Sequence, residues 1–484
     1  MPESTFERLP EAYRDLNEPP PVAVAPPDTW LKDWSAILKL RKNLLVLWPK
    51  RAYEGKTFTA QLFKQHYFIC NSPDSVRRVF LDEHDNYDQK SPQMRHSLEP
   101  LLGDGLFVSD GAVWKERRAY CAPAFESELL PDFAAIMVDS ARELADHWES
   151  LPAGSSIDML NEMARLTSRI IGRTIFGDDT SEAEAATVVD NFSQYQKAIE
   201  QLNFSDSFGL PHLKWLGNPM AKWQSLRAAQ KIHTVIDQII ERHPQRAKPE
   251  SPTLLSYLLG EHTSKKTSGK RCPLSSVDAR NEAIVMFMAG HETTANSLAW
   301  VWYLLDRYPR VAEKLQEELT QMLGDRSPRF EDVPQLPYTR AIFEETLRLY
   351  PPVPVLSRQA RASDEIRGKA VPPNSIILVI PWLLHRHNLY WEKPNHFIPE
   401  RFMPGQPRPD KFVYIPFSVG PRVCLGLRFG LTEGILCLAT LAQRFRAKLK
   451  VGHEVEIECR LTLRPQDGLP MQLEPTASSV TPPQ

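Results

Sequence analysis

Phe417-Ser418-Val419-Gly420-Pro421-Arg422-Val423-Cys424-Leu425-Gly426 is the stretch on which the reading of this chain turns. Glycine at 420 and 426 permits a tight turn and a close approach of backbone to a flat ligand. A helix is expected to start just past Cys424, so its free N–H groups would point at the sulfur. Those dipoles, with backbone donors to sulfur, favour thiolate over thiol, and a thiolate is what a metal binds. Arg422 keeps its proton and suits a carboxylate on a ligand's edge. A buried cysteine beside an ordinary turn would explain Cys424 and Gly426. It does not explain Phe417, Gly420 and Arg422 at these spacings.

The pattern F-x-x-G-x-R-x-C-x-G resembles the haem-binding loop of the cytochrome P450 superfamily. The resemblance implies that Cys424 is the axial thiolate of the iron in haem b, pushing electron density onto the metal to favour O–O cleavage. It places Phe417, Arg422 and Gly426 against the cofactor.

Working outward, three distant stretches carry further family features, in family order. Glu345-Thr346-Leu347-Arg348 puts an acid and a base three apart on one helical face, where they can pair. Glu344 offers Arg348 a competing partner. The stretch precedes Pro351-Pro352 and resembles the family's E-x-x-R pair, with Arg401 of Pro399-Glu400-Arg401-Phe402 completing a triad. Ala289-Gly290-His291-Glu292-Thr293-Thr294 sits inside a long helix. Glycine there costs about 1 kcal/mol, and space for a ligand is one reason to accept it. The Thr293 hydroxyl can bond back to the Ala289 carbonyl, and Glu292 adds an acid. The stretch resembles the family's oxygen-activation motif, with Glu292 and Thr293 as a proton relay. Val285, Met286, Ala289 and Gly290 should share the Thr293 face. A zinc site of the type H-E-x-x-H is excluded, because Ala295 stands where the second histidine belongs. Trp114 and Arg118, four apart, resemble the family's W-x-x-x-R motif, in which both donate to a haem propionate. Arg358 resembles a further propionate partner, and His96 or Arg95 is another candidate.

The chain has 484 residues, 42% of them hydrophobic, enough for a large core. Its net charge of −2 gives no reason to expect nucleic acid. The six cysteines are widely and irregularly spaced, so reduced thiols in a cytoplasmic setting are expected rather than a disulfide framework. Glu3, Glu7 and Glu11 stand where a signal peptide would be basic. The most apolar helix candidate, near Ala283 to Leu305, contains polar residues that lipid would penalise, so no membrane anchor is expected.

Helices are expected from Pro73 to about Glu83, through most of 114–240, after Ser276 to before Pro309, over Val311–Leu323, Tyr338–Tyr350 and Leu425–Phe445. Strands are expected at Leu356–Arg361 and Ser375–Ile380, with a long irregular stretch at 388–419. The fold class is mainly α with a smaller segregated β region, which the resemblance makes the cytochrome P450 fold. Residues 1–30 read as an extended, proline-rich lead-in, 31–476 as a single catalytic domain, and 477–484 as a short tail.

The resemblance implies a monooxygenase that activates dioxygen with two externally supplied electrons and hydroxylates a lipophilic molecule: a fatty acid, terpenoid, steroid or aromatic hydrocarbon. Gly103-Asp104-Gly105-Leu106-Phe107 resembles the distal loop of fatty-acid-hydroxylating relatives. Phe107, Met286, Ala289, Val353, Val355 and Leu469 are pocket candidates, and Tyr195, Phe204, Phe208 and Trp215 belong to a candidate roof. About sixty residues follow Cys424, too few for a fused flavin or iron–sulfur domain. A separate ferredoxin or flavodoxin with its reductase is therefore expected, meeting a basic face of Lys115, Arg117 and Arg428 on a monomer. The alternatives on the same scaffold are a peroxide-driven peroxygenase and a non-enzymatic haem sensor.

Overall fold

Ser275 and Pro309 bracket the helix on which the fold is built. The Ser275 hydroxyl accepts the Asp278 N–H at 3.1 Å, and Asp278 lies at the positive end of the helix. The helix then runs from Ser276 to Arg307, and Pro309 opens the next one, where its missing N–H costs nothing. In this computed structural model the described residues are 13, 18–28, 43–62, 64–152, 154–177, 180–198, 219–246, 253–261 and 274–476. Their longer helices are α1 (Pro92–Leu102), α2 (Gly111–Cys121), α3 (Leu130–Glu149), α4 (Met159–Phe176), α5 (Glu182–Ala198), α6 (Pro219–Arg246), α7 (Ser276–Arg307), α8 (Pro309–Met322), α9 (Pro337–Leu349) and α10 (Leu427–Ala442).

Helix α7 is buried along most of its length and packs on α4, α6, α9 and α10. Its far end is fixed by Trp300, whose ring stacks on Tyr350 at 4.1 Å between centroids. The strands form small sheets apart from the helical body. The largest has the order β1 (Thr57–Leu62), β2 (Gln65–Cys70), β7 (Ile376–Val379), β4 (Leu356–Gln359), with β2 and β7 parallel and the other pairs antiparallel. Another joins β3 (Ser156–Asp158), β11 (Pro470–Pro475) and β8 (Phe445–Leu449). Two hairpins complete the set, β5–β6 (Asp364–Ile366 with Lys369–Val371) and β9–β10 (Ile457–Cys459 with Leu463–Pro465). The expected class, mainly helical with segregated strands, is what is found.

Two expectations need adjusting. Helix α10 stops at Ala442 rather than Phe445, because Phe445 pairs with Pro475 and starts a strand. The proline-rich lead-in has no regular secondary structure over 18–28, but it is tied to the body. Tyr308 donates to the Pro19 carbonyl at 2.7 Å, Tyr350 to the Val22 carbonyl at 2.7 Å, and the Val22 N–H donates to the Tyr303 hydroxyl at 3.1 Å. Residues 477–484, together with Phe204, Phe208 and Trp215, lie outside the described residues. Among the described residues no helix is long and apolar enough to cross a membrane.

Candidate active site

The cysteine loop is held by two local constraints. The Cys424 N–H donates to the Phe417 carbonyl at 2.9 Å, closing the loop on itself. Gly420 adopts φ +78°, and a Cβ there would lie 2.0 Å from the Phe80 carbonyl oxygen, so no other residue fits. Gly426 is different: it caps α10, and a Cβ would meet nothing closer than 3.8 Å. Its contribution is its N–H, which bonds the Cys424 sulfur. Of the described cysteines only Cys424 is exposed, and it is exposed into a cavity that α7 lines from another side. Protein still surrounds it deeply enough for burial to push its thiol up, against the Gly426 N–H and the Arg118 guanidinium. A thiolate here therefore calls for a bound cation, which a metal ion supplies.

The cavity lies between the cysteine loop and α7. Phe417, Arg422, Cys424 and Gly426 line it, as do Val285, Met286, Ala289, Gly290 and Thr293 of α7. Thr293 donates to the Ala289 carbonyl at 2.6 Å, so the back-bond expected from the sequence is present. Gly290 has another reason than ligand space: a Cβ would come within 2.8 Å of Ile171 on α4, so the glycine lets two helices touch. His291 turns to that same helix, with Nδ1 3.1 Å from the Thr167 hydroxyl. Among the described residues no group of three or more His, Cys, Asp or Glu is placed to hold a metal ion.

Glu292 is buried and held by two donors that carry no sequence motif. Gln196 of α5 donates to Oε2 and Thr462, between β9 and β10, donates to Oε1, each at 2.6 Å. Asn296 donates to Thr462 in turn at 3.3 Å. Burial pushes the Glu292 carboxyl up, while Thr462, Arg464 and Gln196 draw it down.

One edge of the cavity concentrates positive charge. Lys90, Arg118, Arg358 and Arg422 all line it, with Trp114 among them. The Arg422 guanidinium stands 4.3 Å from the Trp114 ring and donates to the Ser109 carbonyl at 2.9 Å, but its buried Nε has no partner among the described residues. Arg118 donates to the Val423 carbonyl at 2.8 Å. Burial, then repulsion from Arg422, pushes Arg358 down to about 9; burial also brings Arg422 down to about 10. Lys90 is pushed well below its ordinary value by burial and by both arginines. Asp110 is the nearest acid, and Arg95 and Arg422 both reach it at 3.4 Å. So much crowded positive charge, with an unpartnered donor, fits a ligand that brings its own carboxylates.

The other expected residues divide. Phe107 and Val353 line the cavity; Val355 packs into the core and Leu469 is buried beside β3, its N–H bonded to Asp158, while Leu461 and Thr462 reach the site instead. His96 is exposed and off the cavity, and Arg95 pairs with Asp104 at 2.7 Å; nearby in sequence it is Lys90 that joins the three arginines at the edge. Phe192 lines the cavity, whereas Tyr195 is anchored to the Ser97 carbonyl. Glu345 and Arg348 form a two-pronged pair at 2.6 and 2.7 Å, with Arg401 adding a contact of 3.3 Å, all buried. Glu344 does not compete for Arg348; it pairs with Arg408 and Arg340.

The sequence profile of the cytochrome P450 family matches residues 35–470 of this chain. The chain belongs to the cytochrome P450 family. Cyclooctatin synthase from Streptomyces melanosporofaciens is 29% identical over 434 residues, covering 88% of this chain and 90% of the relative. Cyclooctat-9-en-7-ol 5-monooxygenase from the same organism is 31% identical over 389 residues, covering 79% and 80%. Human cytochrome P450 4F2 is 31% identical over 432 residues, covering 84% and 80%. The haem domain of cytochrome P450DA shares the fold, with a TM-score of 0.75 at 23% identity over 87% of this chain and 90% of that one. The protein is thus a cytochrome P450 monooxygenase with haem b as cofactor, a redox partner as electron donor and a lipophilic substrate. The cavity fits haem b on its own chemistry: a reachable sulfur at one wall and surplus cations where two propionates would lie.

Proposed function

We propose that Cys424 holds the haem iron, and that Trp114, Arg118, Arg358, Arg422 and Lys90 hold the propionates. Phe417, Gly426 and Ala289 would meet the flat of the ring. Haem supplies dioxygen activation when bound; the chain's own residues position, shield and protonate. Glu292 is the acid of the relay, its carboxyl held in place by Thr462 and Gln196, and Thr293 presents a hydroxyl to the cavity beside it. With its lone pair facing the chamber and its proton on the Ala289 carbonyl, Thr293 is set to accept a hydrogen bond from a ligand or to rotate and donate one. The observation that carries this reading is that, among the described cysteines, the one that is exposed faces the cavity that also contains Thr293.

The substrate we propose is a fatty acid, terpenoid, steroid or aromatic hydrocarbon. Its supports are the apolar side chains of Leu98, Phe107, Phe192, Met286, Val353 and Leu461 around the cavity. Electrons come from a separate ferredoxin or flavodoxin. Lys115 and Arg428 are exposed for such a contact, while Arg117 is not available, being paired to Asp278. A cytoplasmic setting accords with five described cysteines that are all free.

The test is the spectrum of the reduced carbon monoxide complex. The parent should show the strongly red-shifted Soret band of thiolate ligation, and Cys424→Ser should lose it. A red-shifted band in the variant would remove Cys424 as ligand.

A further inference from the structure

Glu282 has no part in the site assigned above, yet it is a fully buried acid on α7, about three turns before Thr293. Both its oxygens accept the Leu106 N–H, at 3.0 and 3.1 Å. Leu106 and Phe107 line the cavity, so this carboxyl grips the backbone of a segment whose side chains form the wall. The segment is pressed on α7 at two more points. A Cβ on Gly103 would come within 2.3 Å of Asn281, and one on Gly105 would lie 2.9 Å from both Val285 and the Leu102 carbonyl oxygen. Lys90 then caps the Phe107 ring at 4.8 Å.

On its other side Glu282 meets α2. Arg117 Nε stands 3.8 Å from Oε1, with Arg117 itself paired to Asp278, and the Cys121 thiol donates to the carboxyl. Burial pushes the Glu282 carboxyl up to about 7, against the Leu106 N–H and Arg117. An apolar side chain would fill this place at less cost, but it would leave the Leu106 N–H without an acceptor.

We propose that Glu282 is a positioning residue that sets which ligand sizes the cavity admits, by clamping the Leu106–Phe107 wall to α7. The proposal rests on the reading of the cavity as the haem and substrate chamber. Without the clamp, the wall would lose this polar tie to α7 and move under a bulky ligand.

The test titrates the haem-loaded full chain with imidazole and with 4-phenylimidazole, following the Soret shift. Glu282→Ala should raise the affinity for 4-phenylimidazole relative to imidazole by about tenfold, the scale set by one lost hydrogen bond to a charged group. Glu282→Gln keeps an acceptor for Leu106 and should keep the parent ratio. Gly105→Ala pushes the same wall from α7 and should shift the ratio in the same direction, so the outcome does not depend on Glu282→Ala folding. A parent ratio in both Glu282→Ala and Gly105→Ala would overturn the proposal. Equal weakening of both ligands, with a lowered melting temperature, would also overturn it by showing a structural role only. No Soret shift in the parent with either ligand would instead overturn the haem-chamber reading, and this proposal with it.

Discussion

Thr462 donates its hydroxyl to Glu292 Oε1 at 2.6 Å, although 170 positions separate the two residues. The contact brings a turn near the C-terminal end of the described residues onto the acid of the central helix. Thr462→Val keeps the shape and removes the donor. Because that donor draws the Glu292 carboxyl down, its loss lets burial push the group further up. The pH at which product formation reaches half its maximum should then rise by about one unit. An unmoved pH profile would mean that Thr462 does not set the Glu292 carboxyl.

Thr293 spends its proton on the Ala289 carbonyl, leaving its oxygen toward the chamber. Thr293→Val fills the same volume without the hydroxyl. Electron consumption should continue while product per electron falls several-fold. Stoichiometry of donor oxidised against product formed measures this, and equal coupling in variant and parent would sink the role.

Arg348 reaches beyond Glu345 to the carbonyls of His385, Pro394 and His396, at 2.6 to 2.8 Å. It therefore ties α9 to the irregular stretch upstream of the cysteine loop. Arg348→Ala leaves Glu345 charged and buried, at a cost on the order of 3–5 kcal/mol. Urea denaturation should show that loss, and haem retention should fall with it. A midpoint matching the parent would mean the network is dispensable.

Glu433 lies buried on α10, and neither carboxyl oxygen has a well-formed hydrogen bond among the described residues. Burial pushes it up to about 8, with only the nearby Thr294 hydroxyl drawing it down. In the unfolded chain a glutamate titrates near about 4.3. Between those values the folded protein holds a proton that the unfolded chain has released, so stability falls as pH rises through the window. At about 1.4 kcal/mol per unit, the fall is on the order of several kcal/mol. Glu433→Gln should flatten the stability profile between about pH 5 and about pH 8. Parallel profiles for parent and variant would clear Glu433 as the cause.

What could be read before the structure was whatever local spacing encodes. The cysteine loop, the Glu345–Arg348 pair and the Thr293 back-bond each lie within ten residues, and a start near Ser276 and a stop before Pro309 bound α7 to within a residue or two. Gln196, Thr462 and Lys90 gave no such signal. They reach the site from α5, the β9–β10 turn and the residues before α1, and only the fold brings them there. Gly290 shows the converse: its position was legible but its reason was not, because Ile171 belongs to another helix. Leu469 and His96 misled because strand and helix pattern say which side chains alternate, not where a given face points.

The tied-down segment at 18–28 bears on how the protein is made. Its ties run to Tyr303, Tyr308 and Tyr350, at sequence separations of 281, 289 and 328 residues. During synthesis this segment leaves the ribosome well before those tyrosines are made, so it must wait for its docking surface to exist. It is placed long after it is made.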